Sequence, residues 1–132
     1  MLVCVDPKQA SAVWPHARLL LATAFHGRPA DDTIAAIEAD VRAGRSLLWI
    51  VWGGGAIIAA ATTKIIQTPT RKVLRVECCA GREMPRWIGF IRELEDYGKR
   101  EGCAVCRVEG RQGWKAMLTD YRQPWIVLEK VL

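Results

Sequence analysis

The chain has 132 residues, 51% hydrophobic and 25% charged, with 19 Lys and Arg against 14 Asp and Glu for a net charge of +5. That balance excludes an intrinsically disordered chain, which lacks the apolar surface to offset its ordering entropy, and it fits a single domain over residues 1–132. No apolar run reaches the ~20 residues of a membrane span, and the chain does not open on a basic flank, apolar stretch and small-residue cleavage site, so a cytoplasmic location without membrane partners is expected.

Met1–Asp6 alternates apolar positions and reads as a first strand or a docked tail, stopped by Asp6-Pro7. Lys8–Phe25 has helical spacing broken by Pro15; an interior proline costs about 3 kcal/mol, so a helix starting near Pro15 is expected. His26-Gly27-Arg28-Pro29 is a turn, and a second helix follows with Asp31 or Asp32 as N-cap, Ile34, Ile37 and Val41 on one face, and Gly44 as its stop. Three strand-like runs come next: Leu47–Trp52, Ala56–Ile66 and Lys72–Ala80. Gly53-Gly54-Gly55 and Thr68-Pro69-Thr70 separate them as hairpin turns, which makes the middle of the chain an antiparallel meander.

A helical pattern then runs from about Pro85 to Glu101, with Trp87, Ile88, Ile91 and Leu94 inward and Glu95 and Lys99 spaced as an i,i+4 pair. Cys103–Gly110 is a strand that follows at once, so the helix is a crossover between parallel strands. The end of the Lys72–Ala80 strand and the start of that helix form a natural anion site, because a helix N-terminus offers unpaired N–H groups and a positive dipole end. Gly110–Asp120 reads as a short helix with Trp114, Met117 and Leu118 inward, and Trp125–Leu132 as a last strand.

This order of elements resembles the GCN5-related N-acetyltransferase family over nearly the whole chain, most closely over Ser46–Gly110. The resemblance implies an α/β (α+β) fold with a mixed, mostly antiparallel central sheet and helices on both faces. It implies that Lys72–Ala80 splays from Cys103–Glu109, and that acetyl-CoA lies in the gap. The pantetheine arm would meet the backbone of Val76 to Cys78, and the diphosphate would sit on the loop from Cys79 through Gly81 and Arg82 to Arg86. That loop departs from the family's Arg/Gln-x-x-Gly-x-Gly/Ala run, since Pro85 and Trp87 stand where small residues are expected. The implied activity is acetyl transfer to an amine of unspecified identity, with Glu77 as general base. Read from the residues alone, Glu77 is also a cross-strand carboxylate for Arg75 or Arg107. The Gly81–Trp87 loop and the Glu109–Trp114 run are similar, too, to acetyltransferase-like proteins of tailed bacteriophages. That likeness implies an alternative, a non-catalytic structural or assembly protein of a virion, with homo-oligomer or virion partners.

Other residues carry less. The five cysteines include Cys78-Cys79 and Cys103-x-x-Cys106; on strands the members of each pair point to opposite faces, and a zinc site needs converging sulfurs, so buried thiols and no metal are expected. Tyr121 reads as a core or corner residue, and His16 and His26 as surface or capping residues. Trp49, Trp52, Trp87, Trp114 and Trp125 fall in packed elements, whereas Trp14 reads as a groove or oligomer contact. Arg107, Arg111 and Lys115 cluster with Trp114, but no repeated stripe of such pairs exists to follow a nucleic acid.

Overall fold

The computed structural model describes residues 1–28 and 33–132. Its elements are β1 (Leu2–Cys4), α1 (Ala10–Leu21), α2 (Ile34–Arg42), β2 (Leu47–Gly53), β3 (Ala56–Gln67), β4 (Lys72–Gly81), α3 (Ile91–Arg100), β5 (Val105–Val108) and α4 (Trp114–Met117), with short 3-10 turns beside α1 and α3. The five strands form one sheet in the order β1-β2-β3-β4-β5. β1 to β4 are antiparallel, and β5 lies parallel to β4 after the crossover through α3. The β2–β3 hairpin closes on Gly54 and Gly55, whose φ of 64° and 80° suit a tight two-residue turn and would strain any other residue.

Helices cover both faces. On one, Trp14, Ala17 and Leu21 of α1 and Ile37 and Val41 of α2 pack on Leu48, Ile50, Ala60, Cys78 and Ala80 of the sheet. On the other, Leu94 of α3 packs with Trp49, Leu74 and Val76. α3 sits so close that a Cβ on Gly98 would lie 3.0 Å from Leu74 Cδ2. Among the described residues, no helix is long and apolar enough to cross a membrane.

The structure corrects several expectations. α1 starts at Ala10 and runs through Pro15. Pro15 and Ser11, whose carbonyl loses its partner, are both exposed, so water replaces that bond while Trp14, Ala17 and Leu21 bury the opposite face. Trp14 is therefore a core residue, its Nε1 donating to Glu38 Oε1 at 2.7 Å. Thr33 caps α2, accepting from Ala36 N–H at 3.2 Å; Asp31 and Asp32 lie outside the described residues. Gly44 follows α2 with φ 76°, as expected of a helix stop.

The helix expected from Pro85 begins only at Ile91. Two 3-10 turns, Met84–Arg86 and Ile88–Phe90, replace its first half, because Pro85 and Gly89 are poor helix formers and Trp87 turns inward. Glu95 does not pair with Lys99; it accepts from Tyr121 Oη at 2.8 Å, while Lys99 approaches Asp96 at 3.9 Å. Cys78 and Cys79 do lie on opposite faces, but Cys103 precedes β5, and both it and Cys106 pack on the α3 side. The last helix shrinks to Trp114–Met117, with Leu118 buried and Met117 exposed. Trp125–Leu132 forms no strand: Pro124 interrupts the approach, Tyr121 is held to α3, and Trp125 is 70% exposed. Trp52 is likewise exposed rather than core.

Candidate active site

β4 changes character at Glu77. Thr62 faces Cys78 and Thr63 faces Val76, so Glu77 is an extra residue, a bulge in the β3–β4 ladder. On its other side β4 pairs with β5 only from Val73↔Val105 to Val76↔Val108. β4 continues to Gly81 while β5 ends at Val108. The two strands therefore part at the bulge, leaving a wedge whose β4 wall is the backbone of Glu77 to Gly81.

Arg28 crosses one side of this wedge. Its Nη2 donates at 2.7 Å to the Glu77 carbonyl on β4 and at 2.7 Å to the Glu109 carbonyl just past β5, while the guanidinium lies 4.8 Å from the centre of the Phe25 ring. Nothing in the sequence singled out Arg28. Its only local signal is Gly27, whose φ of 76° turns the chain there. On the α3 side, Trp87 and Trp114 meet edge to face with ring centroids 6.4 Å apart. Trp87 is buried, and its Nε1 donates to the Arg82 carbonyl at 2.9 Å. The space left between these rings, Val76, Cys79 and Val108 is a cavity of about 30 Å³.

The Glu77 carboxylate is buried and accepts from Ser46 Oγ at 2.7 Å. It pairs with neither Arg75 nor Arg107; Arg75 takes Glu109 at 2.9 Å. Cys78 Sγ lies 3.2 Å from Thr62 Oγ1. Burial pushes the Cys78 thiol up to about 11 and the Cys79 thiol up to about 12. Both stay protonated near neutrality and are not nucleophiles, since it is the thiolate that reacts. Burial, with Cys106 and Glu95 beside it, likewise raises the Tyr121 hydroxyl, which suits a structural hydrogen bond rather than proton transfer.

The expected anion turn is built differently from a helix N-terminus. Glu83 takes the left-handed conformation with φ 54°. Arg82 N–H donates to the Ile58 carbonyl at 2.7 Å and Arg86 N–H to the Glu83 carbonyl at 2.8 Å, so these two amides are already engaged. The cationic side chains remain outside: Arg82 is exposed, and Arg86 is exposed while meeting Glu83 at 2.7 Å. Gly81 is required by packing, because a Cβ there would lie 2.6 Å from the Ile58 carbonyl oxygen and 2.5 Å from Ala59 Cβ. Val76, Glu77, Cys78, Cys79 and Gly81 thus line one strand, with Arg82 and Arg86 at its end. The side chains alternate, however: Val76 and Cys79 face α3, and Cys78 faces α1. Only the backbone of the set is continuous along the wedge. Among the described residues, no group of three or more His, Cys, Asp or Glu side chains is placed to hold a metal ion.

No protein-family model matches the chain, and no curated protein matches it. Solved structures do. A protein described as a predicted acetyltransferase from Clostridium acetobutylicum, solved with acetyl-CoA, superposes with a TM-score of 0.68 at 14% identity, covering 98% of this chain and 95% of that one. A ribosomal-protein-alanine N-acetyltransferase from Brucella melitensis gives 0.69 at 12% identity, with 100% and 98% coverage. An aminoglycoside acetyltransferase from an uncultured soil metagenomic sample gives 0.70 at 7% identity, with 100% and 95% coverage. The fold is that of the GCN5-related N-acetyltransferases. These neighbours lend no support to the bacteriophage reading.

Proposed function

We propose that the chain is an N-acetyltransferase-like protein that uses acetyl-CoA to acetylate an amine. The observation that carries this reading is the parting of β4 from β5 at the Glu77 bulge. It leaves a strand edge able to hydrogen-bond an extended amide chain such as pantetheine, and it ends beside two exposed arginines. The donor set fits that ligand: backbone from Glu77 to Cys79 for the amides, Val76 being still paired with Val108, and Arg82 and Arg86 for the diphosphate, which guanidinium groups suit. Acetyl-CoA held there would supply a thioester carbonyl open to attack by an amine, with the C–S bond breaking and the CoA thiol leaving. Glu77 takes the amine's proton, and the Ser46 hydroxyl holds the carboxylate in place. Arg28 must release the Glu77 carbonyl before the wedge can accept a ligand along its length. The neighbour that acetylates aminoglycosides suggests small cationic amines as acceptors.

The test is thermal unfolding with acetyl-CoA. A ligand at 100 times its Kd stabilises by about 2.7 kcal/mol, and the shift should vanish in Arg82→Ala/Arg86→Ala. An unchanged midpoint at saturating acetyl-CoA refutes the reading. It would favour the second one, a module that keeps the fold without the chemistry. The specific observation for that second reading is the closed wedge, crossed by Arg28 and filled on the α3 side by Trp87 and Trp114.

A further inference from the structure

We propose that Glu83 is a specificity-determining residue of the diphosphate site, an internal anion that holds Arg86 until a ligand's phosphates take its place. This role rests on the reading that Arg82 and Arg86 hold the diphosphate of acetyl-CoA.

Glu83 combines two unusual features. The first is its backbone: it is the one non-glycine residue of positive φ among the described residues, at φ 54° and ψ 62°. Left-handed backbone crowds Cβ against a carbonyl oxygen, a strain that glycine escapes. The neighbours of Glu83 hold it there. Arg82 N–H donates to the Ile58 carbonyl at 2.7 Å, and the Arg82 carbonyl accepts from Trp87 Nε1 at 2.9 Å. Arg86 N–H then closes back on the Glu83 carbonyl at 2.8 Å. Strain that its surroundings enforce in this way concentrates at functional sites and ligand clamps.

The second feature is the side chain. Glu83 Oε2 accepts from Arg86 Nη1 at 2.7 Å, three residues along the same turn. Arg86 is itself seated: a Cβ on Gly53 would lie 2.8 Å from its Nη2, so the guanidinium rests on bare backbone at the β2–β3 hairpin. One prong of the fork is thus placed by the hairpin, and another is taken by a carboxylate. A carboxylate and a phosphate both offer oxygens that match this fork. The pair stays wet, with the Arg86 side chain 47% and the Glu83 side chain 65% exposed, and exposed ion pairs contribute little to stability. It opens readily to a ligand of higher charge. A singly charged anion gains too little over the carboxylate to displace it, whereas a diphosphate brings more charge and more acceptor oxygens. Glu83 therefore selects for diphosphate over weaker anions.

Calorimetric titration tests this with acetyl-CoA and with S-acetylpantetheine, which lacks every phosphate. Glu83→Gln should tighten acetyl-CoA about fivefold, the effect of one unit charge ~4 Å away in water, and leave S-acetylpantetheine unchanged. Glu83→Gly should tighten acetyl-CoA as much without lowering the thermal midpoint of the free protein, since glycine takes this backbone freely. In an Arg86→Ala background, the gain from Glu83→Gln should fall below twofold. Inorganic phosphate should compete with acetyl-CoA on Glu83→Gln more strongly than on the unsubstituted protein. Acetyl-CoA bound equally or more weakly by Glu83→Gln overturns the proposal and leaves the acetyl-CoA reading intact. An equal gain with S-acetylpantetheine, or a gain that persists without Arg86, overturns it in the same way. If neither the unsubstituted protein nor Glu83→Gln binds acetyl-CoA, that reading and this proposal fall together.

Discussion

The two halves of β4 differ more than any two neighbouring regions of the molecule. From Val73 to Val76 the strand is paired on both sides, and Val73, Leu74 and Val76 are almost wholly buried. From Glu77 to Gly81 it keeps β3 but loses β5, and it carries a buried carboxylate, two thiols and the Arg28 contact. One inserted residue separates them. The bulge coincides with the end of the β4–β5 ladder, so a strand paired on both sides becomes one with an open edge.

Substitutions can separate the halves. The largest effect should come from Glu77→Gln if Glu77 is the general base. The amide oxygen still accepts from Ser46, so stability should barely move, while acetyl transfer should fall by about 10²–10⁴-fold; a rate within a few fold of the unsubstituted protein, measured by thiol release, removes Glu77 from the chemistry. In the paired half, Leu74→Ala should cost about 2–5 kcal/mol through its cavity, read by urea unfolding. A loss under 1 kcal/mol would mean that α3 collapses onto the gap. Glu77→Ala leaves the buried Ser46 hydroxyl without its acceptor and should cost about 1–3 kcal/mol. Arg28→Ala removes a part-exposed clasp and should cost only about 1 kcal/mol, yet amide exchange at residues 77–80 should quicken, and acetyl-CoA should bind more tightly. Weaker binding would show Arg28 to be a ligand contact instead.

The smallest effect is pH-linked. The Cys78 thiol is raised in the folded state to about 11, so the unfolded chain gives up its proton first as pH rises. The associated stability is full below about pH 9, the ordinary thiol value, and is lost between there and about 11. Cys78→Ala should flatten that alkaline decline in thermal midpoint.

Much of the fold was legible because its signals are local. Gly53-Gly54-Gly55 and Thr68-Pro69-Thr70 set the meander, and the spacing of Ile91 and Leu94 placed α3 on the sheet. The bulge was not legible, since Val76-Glu77-Cys78-Cys79 reads as an unbroken strand and a one-residue shift leaves no mark in composition. Arg28 was missed for a different reason. Its role depends on two carbonyls 49 and 81 residues away, which no local pattern encodes. The delayed start of α3 was signalled by Pro85 and Gly89, but the helical spacing of Trp87 and Ile88 outweighed them. In the terminal segment the apolar, β-branched composition suggested a last strand, but Trp125–Leu132 forms none, because propensity alone supplies no neighbouring strand to pair with.

Cys78 and Cys79 are adjacent in sequence yet open onto opposite layers, so the sheet itself stands between their sulfur atoms. A bridge between these neighbours would require unthreading the strand, and Cys78 is buried as long as the sheet is intact. Cys4, on the edge strand β1, is instead exposed. Ageing in air should therefore couple two molecules through Cys4, and oxidation of Cys78 would report that the sheet had already opened.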